Sequence, residues 1–426
     1  MTPFRRELRL GWRNLLAASI GLGLGIPSYT PVSSLFLRAL EQDFGWSKAV
    51  AAGAMIALPV TALALPIVGV LIDRFGVRLV SAVSVAGTVL SFIWLSRLQG
   101  RPIEYYAAMI ALNVLGCATG PVAYTRLVAT QFSEARGTAL AIAQFGIAAL
   151  AVIFPLAIGS VMMTRGWRGG YLLLAASSLL GGVCAQLLMR PAAPSPDRCP
   201  ARKDRHLLAT EPAFWLLGLA VLAISTGALG LVSQLQSVLM DRGLSTTAAT
   251  RMLSLLAGSV MISRLFVGRL LDLCDPSRSA ASVYVAAAVG AALLAAFNGG
   301  LILTAGSIVL VGMSVGAELD VLSFFCARAF GTQHYARNYG MLSIFFYSGI
   351  AIGSVGYGAI HDRTGSYLPA LTVTTALLLI AAMLFRALPR PSALGPRGLG
   401  ASSARTAPER EGAFMDYASG RSEEHS

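Results

Sequence analysis

The sequence predicts an all-α membrane protein of about 12 transmembrane helices arranged as two six-helix bundles. Three observations lead there. Hydrophobic residues make up 55% of the 426 and charged residues only 12%, with mean hydropathy +0.68, whereas a soluble domain carries roughly 25% charge. The charges fall between apolar runs of about 18–25 residues, the length that carries a helix across about 30 Å of hydrocarbon. A compact motif, Gly69-Val-Leu-Ile-Asp73-Arg74-Phe-Gly76-Val-Arg78, has a weaker echo about 200 residues later in Gly268-Arg-Leu-Leu-Asp272, with Arg278 beyond it. Two such turns at equivalent places imply a duplicated bundle, the architecture in which one half rocks against the other.

The expected spans of the first half are 14–38, 49–71, 79–97, 104–127, 138–161 and 169–190. Those of the second are 212–238, 248–271, 280–298, 301–325, 339–360 and 367–387. Helix is the default because lipid offers no partner to a backbone N–H or C=O. Gly21, Gly23, Gly25, Pro27 and Pro31 inside the first span are tolerated there, and small residues let helices approach closely. Residues 1–13 form a basic lead into a helix too long to be a cleaved signal, so retention is expected. Residues 191–211 hold Pro191, Pro194, Pro196 and Pro200 among Arg198, Arg202, Lys203 and Arg205 and read as a linker between a bundle at 14–190 and one at 212–387. The Pro-, Gly-, Ser- and Arg-rich tail 388–426 is expected to be disordered.

Arginine placement sets the expected orientation. Arg5, Arg6, Arg9 and Arg13, the linker, and Arg390, Arg397, Arg405 and Arg410 fall on one side when the span count is even. Both termini are therefore expected in the cytoplasm, as for a multi-pass protein of a bacterial inner membrane. The same placement accounts for the net charge of +13 without nucleic acid as a partner; the lipid bilayer is the partner expected, and the protein is expected to be a monomer. Cys117, Cys184, Cys199, Cys274 and Cys326 lie far apart with no paired spacing, so no metal site, cofactor or disulfide is expected. No Ser-His-Asp grouping or phosphate loop argues for an enzyme or an ATP-driven pump.

Within 69–78, Gly69 and Gly76 permit a tight turn, and Asp73 is placed to accept amide hydrogens at the N-terminus of a neighbouring helix. Arg74 and Arg78 could then pair with acids or helix ends of the facing bundle. Contacts that form in one conformation and break in another make a latch, with Gly268 and Asp272 as its counterpart. A single copy would read as a basic anchoring loop; the echo favours the latch.

The pattern Gly69-x-Leu71-x-Asp73-Arg74-x-Gly76-x-Arg78 resembles the signature loop between helices 2 and 3 of the major facilitator superfamily. The chain is further similar to bacterial members of its monocarboxylate transporter family. That resemblance rests on Tyr29-Thr-Pro31-Val-Ser-Ser, Phe44-Gly45-Trp46-Ser47, Phe132-x-x-x-Arg136-Gly137, Gly166-Trp167-Arg168, Arg264-x-x-x-Gly268, Gly316-x-Glu318-Leu-Asp320 and Asp362-Arg-Thr-Gly365-Ser-Tyr367, in that order. It implies the major facilitator fold, transport by alternating access, and an arginine of helix 8, here Arg264, at the substrate-anion position. The animal relatives carry a lysine just after the helix 1 proline and an aspartate one turn before the helix 8 arginine. Here those places hold Val32 and Val260, so their proton relay does not carry over.

Charges inside the membrane point to the chemistry, because each costs about 3 kcal/mol or more unless it faces a cavity or a partner. Arg264, between Ile262 and Phe266, stays charged at any working pH and can clamp a carboxylate with two parallel hydrogen bonds. Its other reading is an interface arginine of the Arg269–Asp272 cluster. Arg126, near the end of the fourth span, is a second anion contact, a gate residue or a side chain snorkelling to the interface. Glu318 and Asp320 lie deep in the tenth span and project about 200° apart on a helix, so one is a candidate proton or substrate site and the other an arginine partner. A structural pair with Arg328 or Arg337 is the alternative. Tyr29 and Tyr124, with Asn113, Gln144, Gln234 and Tyr347, are candidates to line the pathway, although packing explains any one of them as well.

The function expected is secondary transport of a small, monocarboxylate-like organic anion, either coupled to H+ through Glu318 or Asp320 or by exchange of the anion without a proton. Export of an amphiphilic compound is the alternative within transport, and a non-transporting sensor the alternative outside it.

Overall fold

The computed structural model describes residues 3–47, 57–190, 211–296 and 300–388, together with Val50 and Gly53. The linker up to residue 210 and the tail from 389 lie outside the described residues. The first half holds α1 (Pro3–Leu24), a 3-10 turn (Ile26–Val32), α2 (Ser33–Phe44), α3 (Ala57–Phe75), α4 (Val77–Ser96), α5 (Pro102–Gly116), α6 (Pro121–Gln131) and α7 (Arg136–Leu188). The second holds α8 (Pro212–Ile224), α9 (Gly230–Asp241), α10 (Thr246–Leu273), α11 (Pro276–Ala296), α12 (Leu301–Phe330), α13 (Tyr335–Thr364) and α14 (Leu368–Ala387). No strand occurs among the described residues.

Among the described residues these helices supply twelve segments of membrane-spanning length once the bent pair and the break in the longest helix are taken into account. Ten helical stretches are long and apolar enough to span, and α1 with α2, bent by 43°, forms an eleventh. The twelfth arises because α7, with 53 residues, would extend about 80 Å as one straight helix, far beyond the hydrocarbon thickness. It breaks at Gly166, where φ is +67°, a conformation that glycine reaches without strain. Three other crossings are also interrupted. Gly25 and Pro27 break the first, Gly120 and Pro121 the fourth, and a π turn at Ser225–Leu229 separates α8 from α9. Large apolar side chains such as Leu63, Leu156, Ile302 and Val355 stand outward and highly exposed, as lipid-facing positions require.

The basic lead is not an unstructured approach to the first span. Helix α1 begins at Pro3, and its first turns are held in place. The Glu7 carboxylate accepts N–H bonds from Ser133 (3.2 Å), Glu134 and Ala135 (both 3.1 Å), and the Arg269 guanidinium lies 4.1 Å over the Phe4 ring.

The halves meet mainly through α3 on α13 and α7 on α10, with lesser contacts of α12 on α6 and α7 and of α13 on α6. Asp73, at the end of α3, and Asp272, at the end of α10, mark one end of this seam, called here the motif end. At the opposite end the first half is tied to itself: Trp167 Nε1 donates to Asp43 at 2.9 Å, and the Phe44 ring packs against Trp46 and Trp167.

Candidate functional site

Arg264 projects from α10 into the middle of the molecule and is 7% exposed. Its Nη1 lies 3.7 Å from Asp320 Oδ1 on α12 and 3.4 Å from Gln144 Oε1 on α7, while Gln144 Nε2 also donates to Asp320 Oδ1. The helical rotation between Glu318 and Asp320 separates their partners. Asp320 faces α10 and α7, and Glu318 is turned to Ser225, whose hydroxyl donates to Glu318 Oε1. Ser225 opens the π turn, a widening that often marks functional positions in helices. All five side chains are buried, Asp320, Gln144 and Ser225 completely. Neither Arg328 nor Arg337 pairs with the two acids among the described residues; the arginine that Asp320 meets is Arg264.

The cluster is not saturated. Arg264 Nε, Asp320 Oδ2 and Glu318 Oε2 are buried without a hydrogen-bond partner among the described residues. Such atoms are rare in interiors. One donor and two acceptors are thus available to a small polar ligand whose own groups complement them. No group of metal-ligating side chains occurs among the described residues.

At the motif end the two aspartates do equivalent things. Asp73 accepts the N–H groups of Ala336 (3.3 Å) and Arg337 (2.9 Å) at the start of α13. Asp272 accepts those of Gly137 (2.6 Å) and Thr138 (2.7 Å) at the start of α7, and the Thr138 hydroxyl at 2.7 Å. Each carboxylate of one half therefore sits on a helix N-terminus of the other, where unpaired amides and the helix dipole favour negative charge. Glycines bring the backbones close enough. A Cβ on Gly69 would fall 2.7 Å from Arg337 Cα, and one on Gly268 would fall 2.6 Å from the Gly137 carbonyl oxygen. Gly76, at φ +87°, turns the chain from α3 into α4.

The remaining candidates lie elsewhere. Arg126 on α6 pairs with Asp73, so it stands at the motif end and not beside Arg264. Arg74 lies 5.2 Å over the ring of its neighbour Phe75, and the Arg78 carbonyl accepts from Gln186 at 3.0 Å. Among the described residues neither guanidinium forms the ion pair with the facing half that the sequence suggested. Tyr29 belongs to an aromatic cluster of the first half with Phe36, Phe92 and Tyr171. Tyr124 is fully buried beside Gly21, and its hydroxyl has no partner among the described residues. Removing an unpaired buried hydroxyl costs no hydrogen bond, so Tyr124→Phe should leave uptake within about twofold and stability unchanged or raised by about 1 kcal/mol. A large loss of uptake, with the melting temperature intact, would make Tyr124 a contact for cargo.

Ser225, Thr138 and Gly340 take part in these contacts, and sequence reasoning gave no reason to single them out; Gln144, a candidate to line the pathway, proves to bridge Arg264 and Asp320. One signal was present. Asp73 and Asp272, Gly69 and Gly268, and the helix-start residues Gly137 and Ala336 are all separated by 199 positions, and following that offset leads to both helix N-termini.

The family model of the Major Facilitator Superfamily matches residues 15–354. Among relatives in sequence, the chain is 25% identical to human monocarboxylate transporter 11 over 383 residues, covering 87% of this chain and 79% of that one. It is 26% identical over 402 residues to the uncharacterized transporter YycB of Bacillus subtilis, covering 89% and 94%. Among solved structures, the E. coli fucose:proton symporter superposes with a TM-score of 0.70 at 15% identity, over 89% of this chain and 98% of that one, a likeness of fold.

Proposed function

The chain belongs to the major facilitator superfamily and is a membrane transporter, and we propose that its cargo is a small organic anion of the monocarboxylate kind, moved by alternating access. One observation carries the reading: a buried arginine, Arg264, sits between the halves and is met by a single carboxylate and an amide. A substrate carboxylate offers that guanidinium the same chemistry as Asp320 and can take its place, with two parallel N–H···O bonds where Asp320 makes one longer contact. Human monocarboxylate transporter 11, by its name, fits the same class of cargo.

Two carboxyls, Glu318 and Asp320, share the buried site with one guanidinium. If both were ionised, one negative charge would lie uncompensated in a medium where that costs several kcal/mol. A proton carried on one of them restores neutrality, and a second is needed when an anion arrives at Arg264. This charge balance supports H+ as the coupling ion, with Asp320, displaced by the anion, as its carrier.

The paired contacts of Asp73 and Asp272 act in this reading as the latch that holds the motif end shut, and Arg126 serves it as the half-buried counter-charge of Asp73. The motif end is assigned to the cytoplasm, with both termini, by the distribution of arginine. The site would then be loaded from the far side.

The cargo class is tested by uptake into proteoliposomes of a labelled short-chain carboxylate against its neutral amide. Saturable uptake of the acid at least ten times that of the amide is expected, and equal uptake of both would overturn the reading. Coupling is tested on Asp320→Asn, which should transport at a rate indifferent to an imposed pH gradient that accelerates the wild type. If the variant still responds fully to the gradient, Asp320 is not the proton carrier.

A further inference from the structure

The 199-residue repeat that matches Asp73 with Asp272, Gly69 with Gly268 and Ala336 with Gly137 also matches Leu65 with Arg264 and Ser343 with Gln144. The two inter-half seams are therefore alike at two levels and unlike at the third. On α3, Leu65, Gly69 and Asp73 follow at four-residue intervals along one stripe of the helix. Helix α13 meets that stripe with Gly340, whose Cβ would fall 2.5 Å from the Leu65 carbonyl oxygen, and with the amides of Ala336 and Arg337. On α10 the same stripe reads Arg264, Gly268 and Asp272. Helix α7 meets it with Gln144, then Ala141 and Gly137, then Thr138. The third level is backbone against glycine in one seam and a charged hydrogen-bond network in the other.

Gln144 comes from the first half, while the ion pair it touches lies wholly in the second. Its amide donates to Asp320 and accepts from Arg264. Only this orientation satisfies both neighbours, because a reversed amide would set N–H against guanidinium and oxygen against carboxylate. The bridge holds both partners only while Arg264 and Asp320 face each other.

We propose that Gln144 is the positioning residue that transmits the state of the Arg264–Asp320 pair to the α7–α10 seam, so that this seam reads the site while the α3–α13 seam closes without reading it. The inference rests on Arg264 as the cargo site. When an anion displaces Asp320 from Arg264, the amide loses a partner. A tie between the halves is then released about 12 Å along α10 from the Asp272 contact. The anion thereby loosens the motif end before it can leave through it. The empty carrier, whose ion pair is intact, stays closed.

Distance measurements between paired spin labels test this without any cargo. The full chain, in lipid nanodiscs and with Cys117, Cys184, Cys199 and Cys326 replaced by serine, is labelled at Glu134 and Cys274 to follow the α7–α10 seam. A second label pair, at Arg74 and Gln333, follows the α3–α13 seam. These four positions are exposed. Gln144→Met keeps the side chain's length and removes its polar head. It should raise the ratio of long to short distances at the first pair about tenfold, the effect of losing a hydrogen bond to a charged group. Ser343→Ala, at the repeat-equivalent place, should leave both pairs as in the wild type. Gln144→Glu sets a carboxylate against Asp320 and should open the seam as well. Combining it with Asp320→Asn exchanges acid and amide across the bridge and should restore the short distance.

A wild-type distribution in Gln144→Met overturns the proposal. So does a double variant as open as Gln144→Glu alone, because a purely packing role would not be rescued by exchanging the charges. Since no cargo is present, these outcomes stand apart from the acid-against-amide uptake result, which tests the cargo class by itself.

Discussion

Arg264→Ala is expected to lower saturable carboxylate uptake at least a hundredfold. Among the described residues the guanidinium is the one cation in the buried cluster. A hydrogen-bonded charge partner in a desolvated site is worth about 3–5 kcal/mol when it is removed, which is two to three decades in affinity. Part of that loss is not about cargo at all, because the alanine leaves Asp320 buried and unpaired, so the variant should also melt at a lower temperature. The two effects separate in Arg264→Ala/Asp320→Ala. Removing both charges should return most of the stability while uptake stays absent. Arg264→Lys should recover only a small fraction of uptake, since an ammonium cannot reproduce the planar fork that grips a carboxylate. Transport by the single alanine variant at the wild-type rate would show that the arginine serves the fold alone.

Gly268→Leu is expected to abolish the conformation closed at the motif end. A side chain there must enter space already held by the Gly137 carbonyl oxygen and the Ala141 Cβ, each 2.6 Å from the position of its first carbon. The Gly137 oxygen is backbone and cannot swing aside. The seam would separate, and Asp272 would lose the Gly137 and Thr138 amides with it. Net uptake should fall to less than a tenth of the wild type, while the half-molecules stay folded because each is packed internally. The matching change Gly69→Leu meets Ala336 and Arg337 backbone in the same way and should act alike. Cysteine-accessibility labelling at exposed positions of the motif end should rise in both. If labelling is unchanged and uptake is normal, close backbone contact is not what shuts this end.

Much of the architecture was legible in sequence because it follows from solvent. Apolar runs between clustered charges announced the spans, and the repeated Gly-Asp motif announced the duplication, while the expected proline-rich linker lies outside the described residues. The helix start at Pro3 was not legible. Residues 3–13 carry four arginines, and what makes them helix is the docking of Glu7 and Phe4 on parts of the chain more than a hundred residues away. The break at Gly166 falls between the expected spans 138–161 and 169–190, and a single straight helix of 53 residues would exceed the thickness of a bilayer.

The site was legible by element and not by partner. Arg264, Glu318 and Asp320 stood out because ions inside an apolar span need a reason, and their helical spacing gave the divergence of the two acids. Nothing in the spacing said that Asp320 would face Arg264 and Gln144 while Glu318 faced Ser225. Arg126 illustrates the same limit. Its place near the end of a span suited an anion contact as well as a gate, and only the tertiary structure showed that it pairs with Asp73.

By itself, then, the sequence determined the membrane, the all-helical class, the duplication and the few residues whose charge is costly in lipid. Each is set by local composition and by the energy of moving a group from water to hydrocarbon. The tertiary structure decided the pairings: which helix end each aspartate caps, which acid meets the arginine, and which amide from the other half joins them. Those depend on how helices far apart in the chain are rotated and brought together. The asymmetry between the two seams, Leu65 and Ser343 at the places held by Arg264 and Gln144, is written in the sequence at a fixed offset, but it has meaning only where the two halves touch.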